Sequence, residues 1–182
     1  MKILRYGILT ILILIGFFGL RLVYTNYINP KSPKGQSDFV QGALELSVNY
    51  SRPFKRNRLI FGQKKDSALV PFGDYWRLGA NKATTLSTNQ ALLFGKQKLP
   101  AGKYRLYAFP FADYWNVIFH NQPQGSGAML PDPAGDLFRL QANTLSLDQP
   151  VDQFTIDFVP KDSLVFLRFR WDKTSVVIPI PF

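Results

Sequence analysis

From Asp38 onward, apolar and polar residues alternate with a period of two rather than 3.6. Leu44, Leu46, Val48 and Tyr50 alternate with Glu45, Ser47 and Asn49, the pattern of a strand with one buried face, and Pro53 closes the run. Further stretches of strand length fall at 75–78, 84–88, 104–109, 114–119, 137–141, 154–158, 164–171 and 175–180. Turn signals separate them at Pro100-Ala101-Gly102, Pro123 to Gly127, Pro131-Asp132-Pro133 and Asp172-Lys173. Short strands with no soluble helix between them predict an all-β fold. An antiparallel β-sandwich or jelly roll with one core over residues 38–182 is expected, with an open barrel as the alternative. Pro179 and Pro181 suit an edge strand, where a missing amide donor does no harm.

The pattern changes at the N-terminus. Between Arg5 and Arg21 every residue is uncharged and most are apolar, which reads as one transmembrane helix within a membrane anchor over residues 1–28. At 1.5 Å per residue this run spans roughly 22 Å, short of the ~30 Å hydrocarbon core, so the reading requires Arg5 and Arg21 to snorkel to the two interfaces. Tyr24 and Tyr27 would form an interfacial aromatic belt. A cleaved signal peptide is the rival, although no A-x-A-like site follows the run. Residues 29–37 (NPKSPKGQS) have the composition of a tether. Lys2 and Arg5 before the run and Arg21, Lys31 and Lys34 after it leave the charge count indecisive for orientation; the expectation is a single-pass membrane protein with its C-terminal domain outside the cytoplasm, in the periplasm.

Composition narrows the chemistry. Cysteine is absent, His120 is the sole histidine and Glu45 the sole glutamate, which excludes thiolate zinc sites, Cys nucleophiles and disulfides. No cofactor or metal is expected, and there is no G-x-S-x-G elbow, P-loop or H-E-x-x-H. The net charge is +10 and unevenly placed: residues 52–105 hold twelve Lys and Arg against Asp66 and Asp74. Such a surface suits phosphate, acidic glycan or anionic lipid, while its bland alternative is a solvated sheet edge whose lysines discourage aggregation. Nucleic acid is not an expected partner, since no recognition helix or RNA-binding signature occurs.

Three blocks carry a resemblance: NYSRPFKRNRLIFG (49–62), LVPFGDYWRLGANKATTL (69–86) and KLPAGKYRLYAFP (98–110). Together with weaker matches in WNVIFHN (115–121), FTIDF (154–158) and WDKTSVVIP (171–179), they resemble the bacterial family catalogued as domain of unknown function 2911. The resemblance implies a β-rich, exported or lipid-anchored protein with no assigned activity. It also implies two departures: Lys82 stands where the family usually has glutamate, and a tryptophan-glycine pair is replaced near Gln124 to Gly127.

The candidate ligand-binding residues are Arg52, Arg58, Trp76, Arg77, Asn81 and Lys82, which combine guanidinium donors with an aromatic face at strand ends. Each has a structural alternative. Arg52 either captures a ligand anion or binds backbone carbonyls and an aspartate, and the second is favoured because buried arginines are usually paired. Asn81 either caps a turn or meets a ligand. No catalytic residue is assigned. The favoured function is a non-catalytic binding module for an anionic or carbohydrate ligand of the cell envelope. The alternatives are a glycan hydrolase built from Asp113, Asp132, Asp136 and His120, or a module that binds another envelope protein.

Overall fold

The computed structural model describes residues 2–182, apart from the side chains at 2–5, 8, 9, 26 and 27. It divides into two units, Met1–Pro33 and Lys34–Phe182. The first is a helix, α1 (Lys2–Val23), that runs on into a π-helical turn at Tyr24–Ile28. A proline-free run of Ile, Leu and Gly-spaced apolar residues permits it, and Thr10 Oγ1 donates back to the Tyr6 carbonyl one turn earlier (2.9 Å). Among the described residues, no helix is long and apolar enough to cross a membrane. The expected transmembrane span is corrected accordingly: the uncharged run is too short for the ~30 Å hydrocarbon core. The side chains of Arg5 and Tyr27, invoked as interfacial anchors, lie outside the described residues.

The second unit is a curled antiparallel sheet. In chain order its strands are β1 (Lys34–Gln41), β2 (Leu44–Ser51), β3 (Phe61–Gly62), β4 (Val70–Pro71), β5 (Thr84–Thr88), β6 (Leu92–Phe94) and β7 (Gln97–Leu99). There follow β8 (Gly102–Pro110), β9 (Tyr114–His120), β10 (Asp136–Lys161) and β11 (Leu164–Pro181). Seven form the main sheet in the order β1-β2-β5-β8-β9-β10-β11, while β3-β4 and β6-β7 are small pairs inserted between them. Neighbours in space are thus neighbours in sequence. This is an up-and-down meander without the long crossovers of a jelly roll, so the sandwich or jelly-roll expectation gives way to a curled sheet nearer the barrel alternative.

The curl comes from β10. Its first half pairs with β9 and its second half with β11, with register irregularities between Ser146 and Val151 and between Val151 and Thr155, around Pro150. Bulges increase local twist and bend a strand, and here they turn the far half of β10 back towards β2. Tyr50 fastens the seam: its hydroxyl donates to the Ile156 carbonyl (3.1 Å) and accepts from the Ile156 amide (2.9 Å). Inside lies one aromatic-rich core. Trp76 stacks on Trp171 at 5.9 Å and meets Trp115 and Phe154 edge-on at 5.2 and 4.9 Å, geometries that ring quadrupoles favour.

Candidate functional site

Residue parity turns the alternate side chains of β2, β5, β8 and β9 outward. Register pairs align Asn49 with Thr85, Thr85 with Arg105, Arg105 with His120 and His120 with Asp136, a polar row across five strands on the face away from the core. Much of that row is buried, because the 121–135 connection between β9 and β10 lies over it: Arg105 is 5% exposed and His120 fully buried. Tyr107 and Ile118, also buried, stand on this outer face and outside the main core cluster.

The segment before β5 pins this covering loop in place. Trp76 makes a reciprocal backbone bridge to Ala108 (2.8 Å each way), after which Leu78 and Asn81 take positive φ values of 52° and 59° and turn the chain away. A buried leucine in the left-handed region is uncommon; here the Thr84 hydroxyl holds its carbonyl at 2.6 Å. Lys82 bridges to Ser126, and the Gly127 amide donates to the Asn81 carbonyl (3.2 Å). Glycine at 127 allows this close approach, since a β-carbon there would stand 2.9 Å from the Asn81 carbonyl oxygen. Tyr75 completes the attachment, its hydroxyl donating to the Gly127 carbonyl at 3.1 Å.

Where the loop meets the sheet, a cleft of about 950 Å³ opens. Its floor is Asn49, Ser51 and Thr85, one wall is Arg77 to Ala83 in part, and the opposite rim is Pro123 to Ser126. Lys34 and Lys103 stand at its edge. Four cations, Lys34, Arg77, Lys82 and Lys103, thus face a single cleft, with no carboxylate among its described lining residues. Such a volume is in the range of small-molecule sites.

Of the six residues singled out from sequence, Arg77, Asn81 and Lys82 come together in this cleft, whereas Arg52, Arg58 and Trp76 do not line it. Arg52 ties the seam, with Nε and Nη2 donating to the Phe154 carbonyl (3.4 Å) and Thr155 Oγ1 (3.2 Å). Arg58 closes its own turn on the carbonyls of Lys55 and Phe54. Trp76 is core, and its indole N–H is spent on the Gly79 carbonyl (3.2 Å). Arg77 Nη1 donates to the Asn81 carbonyl (3.2 Å), which holds the guanidinium at the cleft wall.

Sequence reading missed Lys34, Lys103 and Arg105. The signal was present for the last two: in KYRLY the outward parity of Lys103, Arg105 and Tyr107 opposes the inward Tyr104 and Leu106. Lys34 was hidden in a segment of linker composition.

Of the residues proposed for hydrolysis, Asp132, Asp136 and His120 gather at the end of β9 with their side chains engaged in the fold, and Asp113 stands apart. Asp113 directly precedes β9 and His120 ends it, so these two do not share a site. Asp136 accepts from the Tyr107 hydroxyl (2.6 Å), and Asp132 caps Ala134 (3.0 Å). Burial first, then the hydrogen bond to Asp136, push the Tyr107 phenol well above its ordinary pKa. His120 Nδ1 accepts from the Gln122 backbone N–H (3.1 Å), which assigns the ring proton to Nε2, 3.0 Å from the Asp132 carbonyl. Both ring nitrogens are thereby occupied. Among the described residues, no group of three or more His, Asp or Glu could hold a metal ion.

Fold and cleft together define a curled antiparallel β-sheet protein with a cationic cleft on its outer face. The chain belongs to the family described as protein of unknown function (DUF2911), which it matches over residues 32–180. No curated protein and no solved structure matches it.

Proposed function

We propose that the domain is a non-catalytic binding module for an anionic ligand, including an acidic carbohydrate of the cell envelope, held in the cleft between the 77–83 turn and the 123–126 rim. The observation that carries this reading is the charge of the walls: Lys34, Arg77, Lys82 and Lys103 converge with no carboxylate among the described lining residues. Cations gathered in a concave site raise the local concentration of anions and bind them with charge-assisted hydrogen bonds. Lys82 adds to this attraction at the position where the sequence resemblance leads one to expect an acid. The same reading places the chain at a membrane, attached through α1, whose described apolar side chains are exposed all round the helix.

The test is titration calorimetry of the full chain in nonionic detergent with glucuronate, inorganic pyrophosphate and glucose. Both anions are expected to bind and glucose is not. Lys82→Glu, an exposed charge reversal, is expected to weaken both anions by at least fivefold and to leave thermal stability unchanged. Absence of anion binding, or binding indifferent to Lys82→Glu, overturns the reading.

A further inference from the structure

Arg105 stands beside the cleft in an unusual state. It is 5% exposed, and it forms no ion pair with any carboxylate among the described residues. All its side-chain hydrogen bonds leave from Nη2, to the Tyr75 hydroxyl (2.7 Å) and the carbonyls of Met129 (2.9 Å) and Ser126 (3.3 Å). Nε is buried without a partner. A buried charge is normally matched by an opposite one, because neutral dipoles recover only part of its lost hydration. The nearest acid along the polar row is Asp136, two strands away, and its Oδ1 is taken by Tyr107.

The guanidinium is separated from the cleft by very little. Gly125 lines the cleft, and a β-carbon placed on it would have Arg105 Nη1 as its nearest neighbour, at 3.9 Å. Gly125 sits at φ +116°, a conformation that L side chains rarely adopt, so the wall in front of Nη1 is kept thin. Register also places Arg105 directly beside Thr85 of the cleft floor. An oxyanion seated at this wall would approach Nη1, the guanidinium nitrogen for which no hydrogen bond is made within the fold.

We propose that the cleft takes a phosphorylated ligand, bearing at least two negative charges on one phosphate or diphosphate group, and that Arg105 is its buried anchor. This rests on the anionic-cleft reading above and goes further in naming the group and the residue. The charge decides the class. With Arg105 the site gathers five cations, and one carboxylate would leave four of them uncompensated, whereas a phosphomonoester or diphosphate offers more charge and the oxygen geometry that a planar guanidinium matches. A soluble sugar phosphate and a lipid headgroup both present this chemistry.

The test uses the full chain in nonionic detergent with isotope-labelled arginine. The Arg105 Nε–H resonance is assigned by its loss in Arg105→Lys. Saturating pyrophosphate is expected to shift that resonance and glucuronate to leave it in place. Pyrophosphate is expected to bind at least tenfold more tightly than glucuronate. Arg105→Lys is expected to lose at least tenfold for pyrophosphate and less than twofold for glucuronate. Glucose 1-phosphate against monomeric dihexanoylphosphatidic acid then separates the two sources, the tighter probe naming the natural one. Equal affinity for pyrophosphate and glucuronate in the wild type, which needs no variant to fold, overturns the phosphate proposal while leaving the anionic cleft intact. An Arg105 resonance unmoved at saturation overturns the anchor. Binding of neither anion removes both readings.

Discussion

Asp157 joins two guanidinium groups on the outer face of the β10–β11 pair. Arg168 meets it in a two-pronged contact, Nε to Oδ1 at 2.9 Å and Nη2 to Oδ2 at 2.8 Å, and Arg170 Nη2 adds a third at 2.7 Å. Burial pushes the Asp157 carboxyl up, but Arg168 and Arg170 outweigh it and hold the group below its ordinary value. A carboxylate depressed in the folded state stabilises the fold fully above its unfolded pKa of about 4, and that contribution is lost as pH falls through the lower folded value. Asp157→Asn is therefore expected to cost about 2 kcal/mol at neutral pH, through weakened bonds to half-buried guanidinium groups. Thermal melts should show the gap to wild type holding down to about pH 5 and closing below about pH 4. A gap that persists at low pH would assign the stabilisation to packing instead. The same cluster shows why a single arginine is hard to read from sequence. Arg52 continues the inward parity of Tyr50 to the rim of the core, and this was legible. That its donors would be taken by the Phe154 carbonyl and Thr155 hydroxyl depends on β10 bending back to meet it, which no local pattern encodes.

Among the elements, β1 departs most from its sequence. KGQSDFVQ is polar, and its burial alternates only between exposed and half-buried, so Lys34 to Ser37 read as the end of a tether. They are strand because β2 offers them a complete ladder, pairing Lys34 with Ser51, Gly35 with Tyr50, Gln36 with Asn49 and Ser37 with Val48. Gly35 also leaves space for Arg52, whose Cδ would lie 2.5 Å from a β-carbon there. A chain starting at Asp38 loses these pairings and Lys34 of the cleft. It is expected to melt about 3 to 8 °C below a chain starting at Lys34, corresponding to ~1 to 2 kcal/mol of edge-strand pairing, as circular dichroism melts would show. Equal melting points would make this half of β1 ornamental. Elsewhere the period-two pattern located β2, β5, β8 and β9 well, since each has one face in the core and the other against solvent or a loop. It divided β10 and β11 at turn-like residues such as Pro150 and Asp172, where the ladder bends without ending. It also made a strand of 75–78, where one bridge at Trp76 is followed by left-handed Leu78. Half of the cleft was legible because Arg77, Asn81 and Lys82 lie close together in sequence, while Lys34 and Lys103 reach them only through the pairing of β1, β2, β5 and β8, and the 123–126 rim only through the covering loop.

At the scale of the whole molecule, two surfaces differ from that of an ordinary globular protein: the cationic cleft of the β unit and the apolar helix of the N-terminal unit. On α1 the exposed residues Ile11, Leu12, Ile13, Leu14 and Ile15 are consecutive and so point in every direction around the axis. A helix that is apolar on all sides is stable only when something apolar surrounds it. Because no helix among the described residues is long and apolar enough to cross a membrane, the attachment proposed above is one to the membrane surface. Charge acts in the same direction, because residues 1–37 contain five cations and no acid and would be drawn to anionic headgroups. The full chain is therefore expected to sediment with vesicles that contain anionic lipid and to be released from them by alkaline carbonate, which strips proteins that do not span the bilayer. Replacing Ile13 and Leu14 together by lysine removes two apolar side chains from the middle of the helix and is expected to lower the fraction of the chain that sediments with the vesicles. Retention of the wild type in the carbonate pellet would overturn the surface attachment. Retention of the double variant would place the attachment outside α1.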